Sequence, residues 1–340
     1  MAFISCAAAT IALSFGGALA QGMPPLRDLA ATRGIDFGAA VAVSPLKAEP
    51  IYAETLKREF SMLVGENAFK WESLHITPSL YFFDDTDAII AFAEENGMKV
   101  RGHTLVWHNQ NPSWLARKTK TRDEAIAVLK DHIQTVVGRY KGRIVAWDVV
   151  NEAIDDSTGQ LRESPWLTAI GPDYIALAFQ FAHEADPDAK LYYNDYGAEG
   201  IGGKGDAVFE LVKGLVEQGV PIHGVGWQGH FQANSFIMDM KMNGERLAEL
   251  GLEVAITELD VRIALPPTEA TIARQAKMYA DVTKTCLALP NCKAVVTWGF
   301  TDRHSWVPGF FAGAGAALPF DENYEKKPAY DAIRSVFLQR

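Results

Sequence analysis

Short apolar runs that alternate with amphipathic helical stretches predict an α/β chain, a (β/α)8 TIM barrel built as a single domain. Two further observations support this. The strand-like runs number eight, the closing number of such a barrel, and polar and aromatic residues pile up just past their ends. No repeat, low-complexity linker or Ser/Pro hinge interrupts residues 26–338.

The elements follow in order. DFGAAVA (36–42) and MLVGE (62–66) are compact apolar runs, the second ending at Glu66-Asn67. TDAIIAFAEEN (86–96) has helical spacing and stops at Asn96-Gly97, a glycine suited to the left-handed turn after a helix. KVRGHTL (99–105) leads to Trp107-His108. The helical run 122–140 precedes IVAWDVV (144–150), which delivers Asn151-Glu152. A helix over 173–185 precedes KLYYN (190–194), with Asp195 next. Gln218-Gly219 closes another helical stretch before GVGWQGH (224–230), which carries Gln228 and His230. EVAIT (253–257) delivers Glu258 and Asp260, and after a helix over 270–289, AVVTW (294–298) ends at Trp298. Barrel chemistry sits at strand C-termini, so this clustering marks a site.

Bulk properties narrow the class. The chain has 340 residues, 48% hydrophobic and 22% charged, and a net charge of -10. That is globular composition with no Lys/Arg run, which argues against a nucleic-acid partner. Residues 1–20, MAFISCAAATIALSFGGALA, hold no charged side chain and end in the small-x-small pattern Ala18-Leu19-Ala20. They read as a secretory signal cleaved after Ala20, leaving 21–340 as the catalytic domain of a secreted protein, extracellular or periplasmic and off the membrane. A first transmembrane anchor is the competing reading, disfavoured by a short, Gly-broken stretch. Removal of the signal leaves Cys286 and Cys292, an even pair that favours a disulfide in an oxidising compartment. Closing so short a loop is worth roughly 2–2.5 kcal/mol in the chain-entropy account. A monomer is expected.

Two glutamates carry the chemistry. Glu152 ends RIVAWDVVNE and Glu258 ends LEVAITELD, each after a strand-like apolar run. A carboxylate there cannot be inert core, because an unpaired buried charge costs several kcal/mol or forces protonation. Two of them at one barrel end suit cleavage of a glycosidic bond, one as acid and one as nucleophile or base. Strand alternation groups Glu152 with Val150, Asp148 and Ala146, and Glu258 with Val254, Ile256 and Asp260. If those sets face inward, the glutamates converge above the axis with His230. A metal site through His103, His108, His230 and Asp260 is the other reading of the histidines. No tight H-x-H ligand set is present, so neither metal nor cofactor is expected.

WDVVNE and ITELD, with GHTLVWHNQNPSW, YYNDYG, GWQGH and WGFTDRHSW, resemble glycoside hydrolase family ten, the retaining endo-β-1,4-xylanases, from about residue 26 to the end. The resemblance implies Glu152 as acid/base and Glu258 as nucleophile, acting on xylan and xylo-oligosaccharides. It implies Asn151 as the partner of the sugar 2-hydroxyl, His230 as the partner of the nucleophile with Asp260 orienting it, and Gln228 near the acid/base. Glu66, Asn67 and Lys70 would bind hydroxyls on the non-reducing side. His103, Trp107, Gln110, Tyr196, Trp298 and Trp306 would line the rest of the cleft. The two carboxyls must differ in charge state, and Asn151 and His230 as partners would keep Glu258 ionised. Desolvation and the neighbouring charge would keep the proton on Glu152. Trp147, mid-strand, is expected to be barrel packing, whereas Trp71, Trp114 and Trp166 fit core or rim.

Overall fold

A computed structural model describes residues 23–235 and 237–339, so the signal segment 1–20 lies outside the described residues. Ten strands occur among these residues: β1 (Asp36–Val41), β2 (Met62–Gly65), β3 (Lys99–Val106), β4 (Ala146–Asn151), β5 (Lys190–Asp195), β6 (Gly224–Trp227), β7 (His230–Gln232), β8 (Glu253–Ala264), β9 (Cys292–Thr297) and β10 (Ala314–Gly315). Eight of them pair in parallel in the order β1-β2-β3-β4-β5-β6-β8-β9, and β9 returns to β1, closing the barrel. The predicted (β/α)8 barrel is therefore the observed fold.

Local chemistry accounts for the helices between strands. Arg122–Arg139 starts on a capping box: Thr121 Oγ1 accepts the Glu124 N–H, and the Glu124 carboxylate accepts the Thr121 N–H at 3.1 Å. Thr268 and Thr271 begin Glu269–Leu287 in the same reciprocal way. Asp84–Glu95 places Asp84, Asp85 and Asp87 in its first turn, against the positive helix end. This helix therefore starts two residues earlier than its apolar spacing implies.

Two apolar layers hold the barrel. Outward-facing strand residues pack against the helices in the larger core, where Trp147, fully buried, lies beside Gly102; any Cβ on Gly102 would overlap the indole. Inward-facing residues such as Val64, Ala146, Ala255 and Val296 form a smaller core that Trp298 caps. Trp71, Trp114 and Trp166 are all buried, so they belong to the core and not the rim. A disulfide joins Cys286, on the last full helix before β9, to Cys292 at the start of that strand.

Strict alternation fails where the chemistry begins, which corrects the expected inward sets. Val150, Val254 and Ile256 lie in the outer core, not along the axis. The β4–β5 register shifts between Asp148 and Val150, and the β8–β9 register shifts between Ile256 and Leu259. Each irregularity changes which face the next residues present, as a bulge does. Asn151 and Glu258 reach the site because of these shifts. The run GVGWQGH is also two pieces: β6 ends at Trp227, Gly229 takes φ 76°, and His230 opens β7 on the extension of β8. That extension carries β8 to Ala264, well past the expected end at 257, because Val261 and Ile263 continue the apolar alternation and β7 and β10 supply partners.

Candidate active site

Glu258 sits 4% exposed at the barrel mouth. Its Oε1 accepts from Asn194 Nδ2 at 2.7 Å, and its Oε2 faces His230 Nε2 at 3.1 Å. His103 Nδ1 lies 3.7 Å from Oε1. Burial alone would raise this carboxyl, but His103 and the His230 hydrogen bond outweigh it and hold Glu258 below the usual range. His230 Nδ1 in turn contacts Asp260 Oδ2 at 2.9 Å. Burial would strip the proton from His230; the flanking Asp260 and Glu258 reverse this and push it up to about 10. His230 is thus an imidazolium at neutral pH, clamped between two carboxylates.

The amide partner of Glu258 differs from the expectation. Asn194, not Asn151, bonds it, and Asn194 is fixed on every side. Its Oδ1 accepts from Thr257 Oγ1 at 2.7 Å, and its Nδ2 also donates to Asn151 Oδ1 at 2.8 Å. A Cβ on Gly226 would overlap Asn194 Oδ1, so glycine there makes room for the amide.

Beneath Glu258 lies a second buried layer. Asp148 receives the guanidinium of Arg101 and faces His103 Nδ1 at 3.0 Å. Burial opposes its charge, but Arg101 and His103 hold Asp148 below the ordinary carboxylate range. Losing one partner of such a pair typically costs about 3–5 kcal/mol.

Glu152 leaves β4 in the left-handed region, φ 56°, a conformation a glutamate adopts only when its surroundings impose it. They do: its N–H donates to Asn194 O at 2.9 Å, and Arg162 Nε donates to its carbonyl at 3.1 Å. The carboxylate accepts from Trp107 Nε1 (2.9 Å), Gln228 Nε2 (2.9 Å) and Asn151 Nδ2 (3.2 Å). A continuous bridge, Glu152–Asn151–Asn194–Glu258, therefore joins the two carboxylates.

The remaining predicted residues divide by position. Lys70 Nζ donates to Asn67 Oδ1 at 3.0 Å and lies over Trp107 at 5.0 Å. Desolvation lowers Lys70, against the pull of Glu258, Glu66 and Glu152. Burial raises Glu66, with Lys70 opposing. Gln110 reaches Asn67 Oδ1 at 3.4 Å. Trp306 donates Nε1–H to Asp260 Oδ2 at 2.8 Å and sets its ring against His230 at 5.0 Å. Trp298 is 6% exposed and meets His103 at 5.0 Å, so it plugs the barrel mouth more than it offers a face. Tyr196 lies on the Glu152 side, where its hydroxyl accepts from Arg162 at 3.1 Å. Sequence reasoning counted Asn194 among the polar strand ends without giving it a role, and missed Asp148, Arg101 and Arg162 as site residues. Asp148 was visible only as a charged residue in the middle of β4, and the loop residue Arg162 had no signal. Among the described residues no three His, Cys, Asp or Glu side chains group to hold a metal ion.

Known proteins share this barrel and much of its sequence. Endo-1,4-beta-xylanase B of Thermotoga neapolitana is 45% identical over 320 residues, spanning 93% of this chain and 92% of that protein. Endo-1,4-beta-xylanase 1 of Humicola insolens is 41% identical over 94% of this chain and 76% of that protein. The crystal structure of xylanase 10B from Thermotoga petrophila in complex with xylobiose superposes with a TM-score of 0.90 at 47% identity, covering 92% of this chain and 97% of that one. Residues 25–336 match glycosyl hydrolase family 10 along nearly the whole barrel, and the chain belongs to that family.

Proposed function

We propose that this glycoside hydrolase is an endo-1,4-β-xylanase that cleaves internal bonds of xylan by double displacement with retention. One observation carries the reading. Two carboxylates at the ends of β4 and β8 share one amide bridge, and only one of them is clamped by an imidazolium. The carboxylate held charged suits a nucleophile, and its partner is free to deliver and recover a proton.

The steps follow. Glu258 attacks the anomeric carbon while the glycosidic C–O bond breaks. Glu152 gives its proton to the departing oxygen, leaving a covalent glycosyl-enzyme. Glu152, now a base, takes a proton from water; the water oxygen bonds the anomeric carbon and Glu258 departs. Asn151, whose Oδ1 accepts from Asn194 and Gln228, is oriented so that its Nδ2 can serve the sugar 2-hydroxyl. Glu66, Asn67 and Lys70 would hold hydroxyls on the non-reducing side. Similarity to named xylanases, one solved with xylobiose, supports the substrate class.

Proton NMR of the anomeric centre during cleavage of xylo-oligosaccharides tests the proposal. Initial formation of the β-anomer is expected; initial α-anomer refutes retention. Faster hydrolysis of a soluble cellulose derivative than of xylan would replace the substrate assignment with a glucanase. We further propose secretion with cleavage after Ala20, supported by the uncharged segment 1–20. An intact amino terminus on the exported protein would refute the cleavage.

A further inference from the structure

The barrel has a second charged end. At the N-terminal side of the strands, opposite the proposed catalytic carboxylates, a cavity of about 150 Å³ opens among β1, β2, β3, β4, β5, β8 and β9. Four cations line it: Arg101, Lys99, Lys190 and Lys293. Two carboxylates line it as well, Asp36 and Glu253. Both carboxylates are engaged, Asp36 by Lys99 at 2.8 Å and Glu253 by the Tyr192 hydroxyl at 2.6 Å.

Three of the cations keep donors free. Arg101 is 2% exposed, and Asp148 takes its Nε and Nη2; among the described residues Nη1 makes no hydrogen bond. The Tyr192 ring lies 4.3 Å below the guanidinium and holds its plane. Lys190 makes no ion pair among the described residues, and Lys293 Nζ donates only to Pro290 O at 3.2 Å. Counting Asp148 behind Arg101, four positive groups face three negative ones. The lining is net positive on a chain whose net charge is -10.

We infer that this cavity is a binding site for a small oxyanion. A buried guanidinium edge and two lysine ammonium groups on one lining match the oxygens of phosphate or a carboxylate. The volume limits the ligand to a small ion or its immediate substituent. Because the cavity is at the far end of the barrel from Glu152 and Glu258, binding does not compete with a sugar chain in the cleft.

The test uses the whole protein and inorganic phosphate, with acetate in a second arm. Thermal unfolding is followed against concentration, with chloride at equal ionic strength as the reference. A ligand that binds only the folded state raises the midpoint in a saturable way. Wild type should show this rise with at least one of the two anions; a rise with acetate alone would mark a carboxylate site. Lys190→Ala/Lys293→Ala removes two exposed side chains that take no part in catalysis, so folding and xylan hydrolysis should be unchanged. Losing two such surface attractions should weaken anion binding roughly tenfold. A xylo-oligosaccharide should not displace the anion. No rise beyond chloride, an equal rise in the double variant, or displacement by the sugar would each overturn the site.

Discussion

Glu258 and Glu152 stand at the same end of one barrel, but their neighbours differ in kind. Glu258 is 4% exposed and lies between an imidazolium and an amide that is itself bonded on both sides. Glu152, with its side chain 12% exposed, rests on neutral donors, an indole and two amides. Fixed positive charge suits a group that must stay ionised until it forms a bond. Neutral donors suit a group that must both lose and regain a proton, since they favour neither state by a full charge. The shared Asn151–Asn194 bridge links the two carboxylates through side-chain amides.

Removing each carboxylate is the strongest way to break this contrast. Glu258→Ala should lower turnover roughly 10⁴-fold or more, the scale of losing a covalent nucleophile. Azide entering the vacated space should restore part of the rate and give inverted product. Near wild-type turnover would remove Glu258 from the mechanism. Glu152→Ala should depend on the leaving group. Poor leaving groups should lose about 10²–10⁴-fold, whereas an aryl xylobioside with a good leaving group should release its phenol rapidly and then stall. Equal losses on both substrates would show that Glu152 is not the acid.

Asn194→Ala tests the bridge. It removes one donor to Glu258 and the support of Asn151 without touching either charge. A loss of roughly 10–100-fold in kcat with little change in KM is expected, because the lost bonds act on geometry at the reacting centre. An effect confined to KM would make Asn194 a substrate ligand instead.

His230→Asn sharpens the electrostatic half of the contrast. His230 is held up to about 10 by its two carboxylates, so it is cationic throughout the acid and neutral range. It lowers Glu258, which the proposed double displacement requires in its ionised form. Without that cation the Glu258 pKa rises, and the acid limb of the kcat/KM profile should move to higher pH. An acid limb that stays in place would mean that His230 positions Glu258 without tuning it.

Most of the barrel was legible because apolar runs and helix punctuation are local signals. The two glutamates proposed to act in catalysis stood out in the sequence because each ends such a run. What alternation could not show was the face each glutamate takes. Val150 and Ile256 point outward, and irregular register after Asp148 and Ile256 supplies the change of face. Such shifts arise from pairing between strands distant in sequence, so a single run carries no trace of them. Asn194 was visible as a polar strand end, but its role depends on Gly226 leaving space for its amide, a contact between neighbouring strands. The Arg101–Asp148 pair hid for the same reason: neither residue announces a partner 47 positions away.

Trp306 offers the finest probe, because it reaches the Glu258 side through one hydrogen bond and a ring contact with His230. Its indole N–H donates to Asp260 at 2.8 Å, and Asp260 orients His230, which holds Glu258. The ring also packs on Phe310 at 5.1 Å and Phe311 at 5.5 Å, so its plane is set from two directions. Trp306→Phe keeps an aromatic ring and removes the donor, which is worth about 1 kcal/mol, or roughly fivefold in kcat/KM. Trp306→Ala removes both. If the ring crowds the hydroxymethyl group that glucose carries and xylose lacks, only the Ala variant should shift preference from an aryl xylobioside toward the matched aryl cellobioside. The Phe variant should lose rate on both substrates alike. Measuring kcat/KM for the two substrates in all three proteins separates the roles. A preference that shifts equally in Phe and Ala would place selectivity in the Asp260 bond, and one that shifts in neither would move it to Glu66, Asn67 and Lys70.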